Sequence, residues 1–118
     1  MASRQPQEGA TMRIIVTQHQ DEDDLRASLF HDTPGASRPF EYVTFCCAGE
    51  TTPGEAMRLV VCAGAQRISL NVSLVARRQA GAGEQPEYLA RVEEGDRVWL
   101  EMLLTKLRMV RRFGGRAA

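Results

Sequence analysis

The side chains best suited to chemistry are few: two histidines, His19 and His31, and three cysteines, Cys46, Cys47 and Cys62. His19 with Asp21 has the makings of half a metal site, or of a general base with its orienting carboxylate. A metal site needs three or four converging ligands, and no His-x-x-x-His or Cys-x-x-Cys spacing supplies them. Cys46 or Cys47 with His31 would form a nucleophile and base if the intervening turn folded back. The run Asp21-Glu22-Asp23-Asp24 offers paired carboxylates, but it lacks the alternation and glycine turn of a calcium loop. Gly81-Ala82-Gly83 is followed by neither Lys-Ser/Thr nor a helix pattern, so it is no phosphate loop. Asn71-Val72-Ser73 fits a glycosylation acceptor but lies in the middle of a strand pattern. The expectation is therefore a non-enzymatic chain, with no catalytic residue, no metal and no cofactor.

The cysteine count is odd, and Cys46 and Cys47, adjacent on a strand, would point to opposite faces. They read best as reduced thiols acting as small hydrophobes, although one could pair with Cys62 in an oxidising compartment.

Elements able to position such groups come from periodicity. Ile68, Leu70, Val72 and Leu74 alternate with Ser69, Asn71 and Ser73, which is a strand with one buried and one polar face. Residues 12–16 and 40–47 read as β-branched and aromatic strands. Residues 56–63 lean to strand, against a helix-start signature in Thr52, Pro53 and Glu55. Residues 21–30 read as a short helix with acidic residues in its first turn, or as an acidic loop. Arg77 to Pro86 is a polar loop.

The last segment carries two patterns. Gly95-Asp96 between the apolar runs 88–92 and 98–104 is a hairpin signal. After it Val98, Leu100, Met102 and Leu104 share one strand face, with Trp99 on the other. The same residues also fit a helix. Leu100, Leu103, Leu104, Leu107 and Val110 would lie on one side and Glu101, Thr105, Arg108 and Arg112 on the other, with Asp96 and Gly114 as caps. The strand reading predicts an all-β fold, a β-sandwich or jelly roll of about seven short strands. The alternative is a small α+β domain, with strands at 12–16, 40–47 and 68–76, helices at 21–30 and 53–63, and a C-terminal amphipathic helix at 97–112.

Val72-Ser73-Leu74-Val75, a polar loop, and then Leu89-Ala90-Arg91-Val92-Glu93-Glu94-Gly95-Asp96-Arg97-Val98-Trp99-Leu100 resemble the later strands of the C1q/tumour-necrosis-factor-like jelly roll. Phe113-Gly114-Gly115 resembles the opening of its last strand. The likeness covers residues 66–115. It implies a compact trimer that recognises proteins or extracellular ligands and performs no chemistry.

The chain has 118 residues, 43% apolar and 25% charged, with 15 basic and 15 acidic side chains. That length suits one domain. Residues 12–113 are expected to be globular, 1–11 a disordered lead-in and 114–118 a flexible tail. Zero net charge gives no long-range field toward nucleic acid or an anionic membrane. No apolar run reaches the roughly 18 residues of a membrane span, and no export signal precedes residue 12, so the default compartment is cytoplasmic. From Lys106 onward the charged residues are all basic. These observations predict a protein-interaction or ligand-recognition module that self-associates. Its partner-binding residues would be Trp99, Arg97, Arg108, Arg111 and Arg112. The α+β alternative uses the basic C-terminal segment to bind an acidic protein partner, or, as a lesser candidate, nucleic acid.

Overall fold

A computed structural model of the chain describes residues 12–30, 33, 40–48, 51–78 and 86–110. Five strands and two helices follow one another as β1 (Arg13–His19), α1 (Glu22–Leu29), β2 (Tyr42–Cys46), β3 (Ala56–Ala63), β4 (Gln66–Arg78), β5 (Glu87–Val92) and α2 (Arg97–Met109). The strands form one sheet in the order β1-β3-β4-β5-β2. β1 runs parallel to β3, and every other pairing is antiparallel.

The fold is thus α+β with a curled mixed sheet, and the all-β sandwich of seven strands is overturned. The error lies after Gly95. Glu94–Asp96 is a single 3-10 turn, and Arg97–Met109 is a helix rather than a strand. Gly95-Asp96-Arg97-Val98-Trp99-Leu100, the core of the likeness to the C1q-like jelly roll, therefore leaves the sheet altogether. The α+β alternative anticipates the class and the C-terminal helix, but 56–63 is a strand, as the β-branched residues there imply.

The misleading start signal at Thr52 has a local cause. Thr52 N–H donates to the Glu55 carboxylate at 3.1 Å, and Glu55 N–H donates back to the Thr52 carbonyl at 2.9 Å. Only the carboxylate half of a capping box is present, the other bond being a backbone turn bond, and Gly54 at φ +86° turns the chain back into β3 instead of continuing a helix. β3 and β4 are joined through Gly64-Ala65, with Gly64 at φ +58° in the first loop position, the pattern of a II′ hairpin.

Alternation decides which face is covered. Met57, Leu59, Val61 and Ala63 of β3 and Leu70, Val72 and Leu74 of β4 are buried in one cluster with both helices. α1 contributes Leu25 and Leu29; α2 contributes Leu100, Leu103, Leu104 and Leu107. Both helices therefore lie on the same face of the sheet. α1 forms with Asp21 as N-cap, its carboxylate accepting the Asp24 N–H at 2.9 Å, and three acids in the first turn favour the helix dipole. Its C-terminal carbonyls, at Ser28 and Leu29, sit 2.9 and 3.2 Å from the buried Thr44 hydroxyl of β2.

The passage from β5 to α2 is set by Asn71 of β4. Its carbonyl accepts the Glu93 N–H at 2.9 Å, the last ladder-like bond. Its backbone N–H and side-chain amide donate to Asp96 Oδ2 at 2.8 and 3.1 Å. Asp96 stands at the N-cap position of α2, as expected, but its side chain makes no capping bond; the carboxylate replaces a strand carbonyl instead. Asp96→Ala should cost about 1.5–3 kcal/mol, the range for hydrogen bonds to a charged acceptor whose donors are left half-buried. Urea unfolding of the two proteins measures this, and a loss below a few tenths would mean that the contact does not hold the turn.

Candidate functional site

The histidine expected to face a cysteine is not the one that does. His31 lies outside the described residues, whereas His19, at the end of β1, and Cys46, at the end of β2, line the same cleft of about 350 Å³. Thr17, Ser28, Thr44 and Glu87 line it too. The cleft exists because β1 and β2 are the two edges of the curled sheet and the last turn of α1 lies between them. Residue separation in sequence hides this: β2 follows β1 in the chain but pairs only with β5.

His19 is not set up as a base for that thiol. It is buried, its Nε2 lies 3.0 Å from Thr17 Oγ1, and its Nδ1 has no hydrogen-bond partner among the described residues. Burial holds its pKa below the ordinary 6.5, against a weaker upward pull from Asp24. Asp21, its expected orienter, serves α1 as N-cap instead. The described residues contain no group of three or more His, Cys, Asp or Glu placed to hold a metal. Cys46 is exposed, Cys47 is buried and Cys62 is intermediate, and all three are free thiols. Arg13 Nη1 donates to Cys47 Sγ at 3.4 Å, which ties the β1 edge to the end of β2.

The expected partner-binding residues divide. Arg97 is half-buried and donates through Nε to the Val92 carbonyl at 3.1 Å, so it fastens α2 to β5. Arg108 donates to Glu22 Oε2 at 2.8 Å, and Arg26 reaches the same oxygen at 3.1 Å. Glu22 is almost fully buried, and these hydrogen bonds, Arg108 first, hold its carboxyl below the ordinary 4.5 against the opposing effect of burial. The acidic cluster and the basic segment thus meet inside one chain, α1 to α2. Arg111 and Arg112 lie outside the described residues, as do 1–11 and 114–118.

Trp99 is the exception: it is 44% exposed. It lines a cleft of about 200 Å³ with Gln66, Arg67, Ile68, Met102, Leu103 and Lys106, where the exposed side of α2 meets the start of β4. Around it α2 carries a second apolar stripe. Val98, Met102 and Met109 are each about half exposed, on the side of the helix opposite Leu100 and Leu107. Val110, expected with the core leucines, is also exposed. Arg67 and Lys106 are exposed and make no ion pair with a described residue. The sequence reading missed Arg67, Met102 and Lys106 as site residues. The spacing of Val98, Met102 and Met109 was visible, but only the helical reading makes it a stripe.

No helix among the described residues is long and apolar enough to cross a membrane. No family model matches the chain, and no curated protein matches it.

His19 gives a pH prediction. Its folded pKa is depressed, so as pH falls through 6.5 the unfolded chain takes up the proton first, and stability declines toward the folded pKa. Glu22 acts lower, losing its contribution as pH falls below the ordinary carboxylate range. The melting temperature should therefore drop between pH 7.5 and 5.5, and His19→Gln should flatten that drop. An unchanged slope in the variant would assign it to another group.

Proposed function

We propose that the domain is a protein-interaction module whose α2 receives an acidic segment of another protein, anchored by an apolar side chain. The reading is carried by Trp99, half exposed between Arg67 and Lys106 on a helix whose core stripe is already complete. Four buried leucines seat α2 on the sheet, and Val98, Trp99, Met102 and Met109 lie outside that buried set, each about half exposed. A contiguous exposed apolar patch with a polar rim is the usual signature of a partner site. Tryptophan is the residue type most enriched in binding hot spots, and methionine adapts its shape to a ligand. The two cations select for carboxylates beside the anchor and would speed encounter more than they add affinity. Nucleic acid fits less well, because a single aromatic and two cations offer neither a stacking series nor a phosphate track.

Trp99 is the sole tryptophan, so its fluorescence reports the site directly. A short peptide rich in Glu and Asp around a Leu-Phe anchor should change the emission saturably, and its Lys-substituted counterpart should not. Met102→Ala should weaken binding about tenfold, as loss of a central apolar contact does. The double change Arg67→Glu, Lys106→Glu should reverse the charge preference. Equal responses to both peptides, or none, would remove the proposal.

A further inference from the structure

Both helices pack on one face of the sheet, and the other face is open to solvent at Ile14, Val16, Arg58 and Arg67. Register sets these residues in adjacent rows. Arg67 of β4 stands opposite Cys62 of β3; in the next row Val16 of β1 lies beside Val60 of β3; in the third Ile14 lies beside Arg58. Ile14 is 59% exposed and Val16 is 56% exposed. Arg58 and Arg67 are exposed, and neither makes an ion pair with a described residue. Neighbouring charges are already engaged. Arg91 is held by Glu41 at 3.2 Å, and Asp96, which reaches the Arg58 end of the face, has its carboxylate on Asn71. An aliphatic strip thus lies between two guanidinium groups that no carboxylate neutralises. One of them, Arg67, also lines the Trp99 cleft, so the strip begins where that cleft ends.

We propose that the acidic segment received by α2 continues over this face as an extended chain, with an acid on Arg67, an aliphatic residue two positions on over Val16 and Val60, and a second acid two positions further on Arg58. The proposal rests on the reading of α2 given above and adds the order of residues its partner must carry. The spacing follows from geometry. Arg58 is four residues along β3 from Cys62, the position opposite Arg67, which is about 13 Å along the strands at their usual rise. Four residues of an extended ligand span the same distance, and its alternate side chains point toward the sheet. The forked donors of arginine match a carboxylate, and Val16 and Val60 give the residue between the acids an apolar seat. The three rows hold no aromatic ring on which a nucleic-acid base could stack.

The acidic peptide with the Leu-Phe anchor tests this when it is lengthened, in separate peptides at its N- or C-terminal end, by Glu-Thr-Val-Thr-Glu. Thr-Glu-Val-Glu-Thr, of the same composition with its acids moved off the alternate positions, is the control. Titration followed by Trp99 fluorescence should show one of the first pair binding about tenfold tighter than the short peptide, the scale of one added charge-assisted contact, and the controls no tighter. Arg58→Glu and Val16→Ser should each reduce that gain while leaving the affinity of the short peptide unchanged. No gain from either end, an equal gain from the controls, or a gain indifferent to Arg58→Glu would overturn the proposal and leave the α2 reading standing on the short peptide. Silence of the short peptide would remove both.

Discussion

The carboxylate of Asp96 on the amide of Asn71 governs the course of the chain after β5. β4 extends beyond the end of β5, and the Asn71 N–H on that side would otherwise demand a strand neighbour. A side-chain oxygen at 2.8 Å meets the demand without one. The backbone is then free to leave the sheet plane through the 3-10 turn at 94–96, and Arg97 fixes the departure by holding the Val92 carbonyl. Without that substitution the next residues would face two choices, an unsatisfied amide or a sixth strand, and each is costly or incompatible with four leucines at helical spacing.

Once the exit is set, the leucine stripe does the rest. Leu100, Leu103, Leu104 and Leu107 bury fully or nearly so in the cluster over the sheet, and burial of this kind contributes roughly 1.5–3 kcal/mol per side chain. The Glu22–Arg108 contact then joins the two helices across 86 residues of sequence. A buried carboxylate gains little net stability from its partners, because desolvation offsets the attraction. Its role is better seen in orientation: Arg108, reaching from α2 to a carboxylate on α1, favours one rotation of α2 about its axis. That rotation keeps the leucines inward and leaves Trp99 outward.

Much of this was legible in the residues and part was not. The strands at 12–16, 56–63 and 68–74 follow from alternation and β-branching, because one face of each is covered and that pattern survives in the sequence; 40–47 follows from its aromatic and β-branched residues alone, since Val43, Thr44 and Phe45 are all buried. Asp21 followed by three acids and Leu25 and Leu29 marks α1 for the same reason. The segment after Gly95 satisfied both periods at once, since Val98, Leu100, Met102 and Leu104 alternate while Leu100, Leu103, Leu104 and Leu107 follow a helix. What separates them is a contact with Asn71, 25 positions away, which no local window contains. The same limit applies to the cleft of His19 and Cys46, which depends on sheet order, and to Arg97, whose charge suggested a partner but whose Nε is taken up by its own backbone.

Exposed hydrophobics scattered singly on a small domain call for no account. Here, among the described residues, all the large ones but Val75 gather in two places that share no residue, the outward side of α2 with Val110 and the edge strand β1 with Met12. Neither is required by the core, which is closed by the leucines, Met57, Leu59 and Leu70.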